Sequence, residues 1–263
     1  MTNPNRVALV TGATGAIGQA IARQIAAKSG YEVVLLGRNE QKTRLATEEI
    51  KRATGSPDVR YEITDVSRRA EIESLVQRWP GPCHVLVNNA AVTPRRRQET
   101  PEGIEMQFAT NVLGYFWLTE AFSEHLKASA PARVVNVASY WAGDLDLNDL
   151  EFKRRRYNNG TAYRQSKQAN RMLTVAHAQR LQPFAVTVNA CHPGDVNSNL
   201  SNNLGFGGHE SPDAGARTPV WLATDAAGGE VTGKYFERLS ATPCRFAGNR
   251  EAIEKLYTLC SHY

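Results

Sequence analysis

The chain has no apolar run approaching the ~20 residues that a membrane-spanning helix needs. Its amino terminus, Met1-Thr2-Asn3-Pro4-Asn5-Arg6, carries no signal-peptide core and runs straight into an apolar strand pattern. Only four cysteines occur, Cys83, Cys191, Cys244 and Cys260, with no Cys-x-x-Cys or histidine spacing, so neither disulfide nor metal is implied. We read them as reduced thiols and expect a cytoplasmic protein. No repeat, low-complexity tract or linker divides the 263 residues, and one domain spanning 1–263 is expected. The net charge of +5 accommodates an anionic ligand. The basic clusters Arg95-Arg96-Arg97 and Lys153-Arg154-Arg155-Arg156 lack the interleaved aromatics of single-strand binders, so they read as solvated loops and no nucleic acid is expected.

What is present is a regular alternation of apolar strands and helical patterns, which implies an α/β fold with a mostly parallel sheet covered on both faces. Seven strands are expected, at about 6–11, 32–37, 59–64, 83–87, 133–139, 185–191 and 234–236. The first ends in Gly12-Ala13-Thr14-Gly15-Ala16-Ile17-Gly18, with a helical pattern following. Strand, glycine turn and helix together let a backbone approach a pyrophosphate at a helix N-terminus; a ligand-free tight turn is the plainer alternative. The second strand ends at Gly37, where an NAD-specific site usually carries a carboxylate for the ribose 2′-hydroxyl. Arg38 follows, either reading a 2′-phosphate or standing free in a loop, and the first reading favours NADP(H). Asn39 is positioned to cap the next helix.

Further along, Asp65-Val66 closes the third strand, and Asp65 either accepts from an adenine amino group or caps the next helix. Asn88-Asn89-Ala90-Ala91 follows the fourth strand. A long helix is expected from about 102 to 127, with Asn111 in its apolar register as a structural bridge or part of a polar site. Ser139 falls at the carboxyl end of the fifth strand, where open α/β sheets bind ligands. Tyr163 and Lys167, four apart on a helix expected from about 161 to 181, share one face. A nearby cation stabilises a phenolate and draws the tyrosine pKa toward neutrality, which suits proton exchange with an alcohol or carbonyl. The stretch 197–211 reads as a loop.

These motifs, in this order and over the whole chain, resemble the short-chain dehydrogenase/reductase family. Ala162-Tyr163-Arg164-Gln165-Ser166-Lys167-Gln168-Ala169-Asn170, Leu147-Asn148-Asp149-Leu150, His192-Pro193-Gly194 and Gly233-Lys234-Tyr235-Phe236 resemble its retinol-dehydrogenase-like branch, which includes the WW-domain oxidoreductases. The resemblance implies a single Rossmann fold and an NADP(H)-dependent oxidoreductase acting on a small carbonyl or alcohol. It implies Tyr163 as general acid/base, Lys167 as the residue that lowers its pKa and binds the nicotinamide ribose, Ser139 as the carbonyl holder and Asn111 as the holder of a relay water. The candidate cofactor residues are Gly12, Thr14, Gly15, Ala16, Ile17, Gly18, Arg38, Asn39, Asp65, Val66, Asn88, Ala90, Tyr163, Lys167, Pro193, Gly194, Val196 and Ser198. Substrate walls are expected from about 140–160 and 195–212, whose aromatics point to an apolar ketone or aldehyde. Two alternatives stand beside this reading. One is a regulatory protein that binds NADP without turnover. The other is a nucleotide-sugar epimerase or dehydratase, suggested by the Gly-x-x-Gly-x-x-Gly spacing and opposed by the length. The family often forms homo-oligomers through the helices that here hold Asn111 and Tyr163.

Overall fold

The computed structural model describes residues 5–263, so the reading of residues 1–4 lies outside it. Strand β1 (Arg6–Thr11) and strand β2 (Tyr31–Gly37) pair in parallel, Ala8 beside Val33 and Val10 beside Leu35. Their side chains alternate between two cores, as period-two geometry requires. Val7, Leu9, Val34 and Leu36 enter one core, while Ala8, Val10, Val33 and Leu35 enter the other. Because both faces are buried, the strands read as continuous apolar runs rather than alternating ones.

Helix α1 (Ala16–Ala26) follows β1, and α2 (Glu40–Thr54) follows β2. Then come β3 (Val59–Ile63), α3 (Arg69–Gln77), β4 (Val85–Asn88), α4 (Gly114–Ala121), α5 (Ser123–Ala128), β5 (Ala132–Val137) and α6 (Asn159–Leu181). The chain closes with β6 (Val186–His192), α7 (Asn199–Leu204), α8 (Pro212–Thr224), β7 (Tyr235–Glu237), β8 (Ser240–Thr242) and α9 (Arg250–Ser261). The sheet order is β3-β2-β1-β4-β5-β6-β7-β8. The order reverses between β1 and β4, which opens a crevice at their carboxyl ends. Side chains of α3, α4, α6 and α9 fill one core, and those of α1, α2 and α8 fill the other.

The sheet has eight strands where the sequence reading expects seven. The extra one, β8, turns back antiparallel on β7, Phe236 beside Ala241. Its turn uses Arg238 and Leu239, both at positive φ (48° and 66°), so the usual glycine or asparagine signal is missing. The helix expected at 102–127 is also different. Helical structure begins only at Met106, passes into a π-helical stretch Phe108–Leu113, and breaks again at Phe122 between α4 and α5. At its start the buried Glu105 carboxylate accepts from the Gln107 and Phe108 N–H groups (2.9 and 2.7 Å) and caps the first turn. The expected loop at 197–211 contains α7, started by a reciprocal Ser198/Ser201 capping box.

Helix α9 lies on the face of α4 and α6. The Tyr257 hydroxyl donates to Glu120 (2.9 Å), its ring packs edge-on to Phe116 (5.1 Å), and Glu254 pairs with Arg180 (2.6 Å).

Candidate active site

Two adjoining cavities lie along the carboxyl ends of the strands. The first, about 580 Å³, is walled by the glycine turn, the end of β2 and the start of α7. Gly12 sits at φ +62°, and an added Cβ there would stand 2.7 Å from the Ala90 Cα; at Gly18 it would stand 2.3 Å from the Gly12 carbonyl oxygen. Packing within the chain therefore requires both glycines. Gly15 is different: its nearest neighbour would be the Gly12 carbonyl oxygen at 3.4 Å, and the residue faces open space before the first turn of α1. No side chain caps α1, so its leading N–H groups point into that space. This cradle fits a pyrophosphate. Thr11 braces it from behind, its hydroxyl accepting from the Asn89 and Ala90 N–H groups (2.8 and 3.0 Å).

Gly12, Thr14, Gly15, Ala16, Ile17, Gly18, Arg38, Asp65, Val66, Ala90 and Ser198 all line this cavity. Gly37 has a steric cause, since a Cβ there would meet the Thr43 hydroxyl at 2.2 Å, and that hydroxyl is held by the Asn39 carbonyl at 2.7 Å. A carboxylate cannot occupy position 37 without displacing Thr43. Arg38 is exposed and has no acidic partner within ion-pair distance among the described residues. Asp65 lines the cavity while its carboxylate accepts from the Ser67 N–H and hydroxyl (3.0 and 2.7 Å), so it shapes the turn before α3 as well.

Three cofactor candidates, Asn39, Asn88 and Lys167, line neither cavity, and the first two correct the cofactor assignment. Asn39 caps α2, accepting from Lys42 N–H at 2.9 Å. Asn88 is fully buried and donates to Asn136 (2.9 Å) and Thr119 (3.3 Å), lacing β4 to β5 and α4. Its polar side chain serves the core because the strand end is covered on both faces. Leu36, Thr64, Thr110, Asn197 and Leu200 also line the cavity and were not foreseen, having no motif of their own.

The second cavity, about 470 Å³, holds Ser139 and Tyr163 on its wall, with Pro193, Gly194 and Val196 alongside. Ile17, Ser198 and Leu200 line both cavities and so mark where they meet. Tyr140, Trp141 and Phe206 supply aromatic walls, Trp141 lying 6.1 Å from the Tyr163 ring and 5.9 Å from Phe206. Asp195, His192, His209, Ser198 and Ser201 add polar groups, and among the described residues no lysine or arginine lines it.

Helix α6 begins where Asn158 accepts from Thr161 N–H (2.9 Å), and it carries Tyr163 and Lys167 inward. Burial pushes the Tyr163 phenol up to about 12, while the Ser139 hydroxyl draws it back in part. Lys167 is 2 % exposed, and its ammonium donates to the Val137 carbonyl (2.9 Å) beneath the Tyr163 ring, 5.6 Å from the ring centre. Burial pulls its pKa from 10.5 to about 7, with Cys191 acting weakly the other way. The lysine neighbours the phenol, yet burial sets the direction of the Tyr163 shift, upward, opposite to that expected from spacing alone.

Asn111 does not face either cavity. Its side chain is wholly buried, accepting from Val92 N–H (2.8 Å) and donating to the Val92 carbonyl (3.0 Å). It is the bridge that ties the segment after β4 to the π-helical stretch, where Gly114 N–H reaches back to the Ala109 carbonyl. We expect Asn111→Leu to cost about 1–3 kcal/mol of stability by stranding both Val92 groups. A chemical-denaturation midpoint unchanged from the parent would remove that role.

The family model for short chain dehydrogenase matches residues 6–206. Retinol dehydrogenase 13 of Mus musculus is 35% identical, covering 98% of this chain and 83% of its own length. A probable oxidoreductase of Streptomyces antibioticus is 34% identical over 88% of this chain and 84% of its own. Among solved structures, an uncharacterised protein from Mycobacterium Paratuberculosis superposes with a TM-score of 0.82 at 26% identity, covering 99% of this chain and 95% of that one. The chain belongs to the short-chain dehydrogenase/reductase family of oxidoreductases, in likeness to its retinol-dehydrogenase-like branch.

Proposed function

We propose that the protein is an NADP(H)-dependent oxidoreductase that interconverts a neutral, apolar ketone or aldehyde with its alcohol. The observation that carries this is Ser139 and Tyr163 on one cavity wall, opening into the glycine-turn cavity through Ile17 and Ser198. The nicotinamide, when bound, would supply or take up the hydride. The first turn of α1 would hold the pyrophosphate and Arg38 the 2′-phosphate. The Ser139 hydroxyl would hold the carbonyl oxygen, and the Tyr163 phenol would give it a proton. A phenol raised to about 12 stays protonated throughout the neutral range, so the site as built favours reduction there. Asp195, the one carboxylate among the described residues that line the substrate cavity, has no lysine or arginine beside it there and disfavours keto acids.

A regulatory protein that binds NADP without turnover is disfavoured by Lys167. A buried ammonium costs stability, and its place beneath the ring of Tyr163, on the wall of the substrate cavity, suits proton chemistry rather than binding alone. An epimerase of nucleotide sugars is disfavoured because the described residues form one sheet with a helical layer on each face and no second substrate layer among them.

The test is a panel of carbonyls assayed with NADPH and NADH at the nicotinamide absorbance. It would contain all-trans-retinal, suggested by the retinol dehydrogenase relatives, together with aromatic ketones, short aldehydes and keto acids. Turnover of neutral apolar members and none of keto acids is expected. NADPH should bind at least tenfold more tightly than NADH, about 1.4 kcal/mol, and Arg38→Asp should shrink or reverse that gap. Equal affinity for both cofactors would sink the NADP assignment; silence across the panel would sink the activity.

A further inference from the structure

Helix α6 buries a second cation one turn beyond Lys167. Arg171 is 7 % exposed, and its guanidinium Nη2 donates to the backbone carbonyl of Ser139 at 2.5 Å. The group lies flat on Tyr235 of β7, its central carbon 3.4 Å from the ring centre, with Phe246 at 5.7 Å beyond. The Tyr235 hydroxyl in turn donates to Glu237 at 2.8 Å. Lys167 makes the parallel contact two residues earlier on the same strand end, to the Val137 carbonyl. One helix thus holds the carboxyl end of β5 through two charged donors, set four apart on α6 and two apart on the strand.

The second contact falls on the residue whose hydroxyl faces Tyr163. A charged donor on a carbonyl is about twice as strong as a neutral one, and the aromatic face below Arg171 fixes the plane of the fork. The segment beyond Ser139 is pinned less directly: Ser139 Oγ accepts from Trp141 N–H (3.1 Å), and Arg245 donates to the Ala142 carbonyl (3.0 Å). With the Ser139 backbone free to shift, its Oγ would shift with it.

We propose that Arg171 is a positioning residue for Ser139, setting where the serine hydroxyl stands against Tyr163; this rests on the oxidoreductase reading above. Arginine at this place looks like surface charge in the sequence, and no family motif draws attention to it. A displacement of an ångström at a reacting group costs about 10²-fold in rate, so the effect belongs in turnover rather than in cofactor binding.

The experiment measures carbonyl reduction by Arg171→Met and Arg171→Lys, each in the parent and in a Ser139→Ala background. Arg171→Met should lower kcat at least about tenfold at unchanged NADPH affinity. In the Ser139→Ala background the same change should cost less than about twofold, because residues acting through one another are not additive. Arg171→Lys keeps a charged donor without the stacked plane and should fall between. An equal loss with and without Ser139, or a lowered Tm at undiminished kcat, would reduce Arg171 to a rivet between α6 and β7. Should Arg171→Met fail to fold, Arg171→Lys carries the comparison. Hydrogen exchange in peptide 139–143 supplies a readout independent of turnover: faster exchange in Arg171→Lys supports the proposal, and exchange equal to the parent overturns it. A parent enzyme silent on every carbonyl would sink the activity reading, while the exchange result would still decide Arg171.

Discussion

Tyr163→Phe is expected to fold, to bind NADPH as the parent does, and to reduce carbonyls at least ~10²–10⁴-fold more slowly. The change removes one oxygen and keeps a ring that packs among buried neighbours beside Trp141. That oxygen lies on the cavity wall with Ser139, and no other phenol shares the position; Tyr140, exposed at the rim, turns its ring onto His192 instead. The pH dependence follows from the direction of the shift. Reduction needs the phenol, present at all pH values below about 12, so its rate should show no Tyr163 limb in the neutral range. Oxidation needs the phenolate, whose fraction rises tenfold per pH unit up to about 12, so alcohol oxidation by the parent should climb through the alkaline range. Tyr163→Phe should lack that climb. A variant that keeps most of the reducing rate would mean the proton reaches the substrate from another group.

The sequence was most legible where one local rule decided the outcome. Continuous apolar runs placed β1 and β2 within a residue because both sheet faces are buried. The glycine turn was readable because Gly12 and Gly18 answer to contacts with Ala90 and with the turn itself. Asn39 capped its helix as its side chain predicts. Legibility ended where a distant partner decided. Nothing local marks the Arg238-Leu239 turn, since neither residue favours positive φ. The 102–105 stretch has helical periodicity, but Glu105 gives its carboxylate to two backbone groups and starts the helix only at Met106. Asn111 fits a relay position and a bridge equally well until Val92 is seen on both sides of its amide. Spacing put Lys167 on the same face as Tyr163, yet the direction of each group's shift is set by burial, and the ammonium is held by the Val137 carbonyl, neither of which a spacing rule reveals. Arg171 was passed over for the same reason.

Lys167→Met is expected to be more stable than the parent and close to inactive, and the two effects have one cause. The ammonium is titrated at 10.5 when solvated and at about 7 when buried here. Between those values the unfolded chain holds a proton that the folded chain has released, so parent stability rises with pH across about 7 to 10.5. At and below about 7 the parent carries the full cost of burying the charge, on the order of a few kcal/mol. Methionine keeps most of the stem and removes that cost, so the variant should gain stability most at pH 7 and below, and its advantage should fade toward pH 10.5. Chemical denaturation of both proteins at several pH values measures it. The loss side appears in turnover. Without the amine beneath the ring, NADPH binding should weaken and the rate at neutral pH should drop by about 10² or more. Lys167→Arg should not restore it, because a planar fork does not fit a slot shaped for one compact charge between Val137, Tyr115 and Cys191. A variant with the parent's pH–stability slope would mean that Lys167 titrates as though solvated. One with the parent's rate and affinity would leave the lysine a packing residue, whatever its burial.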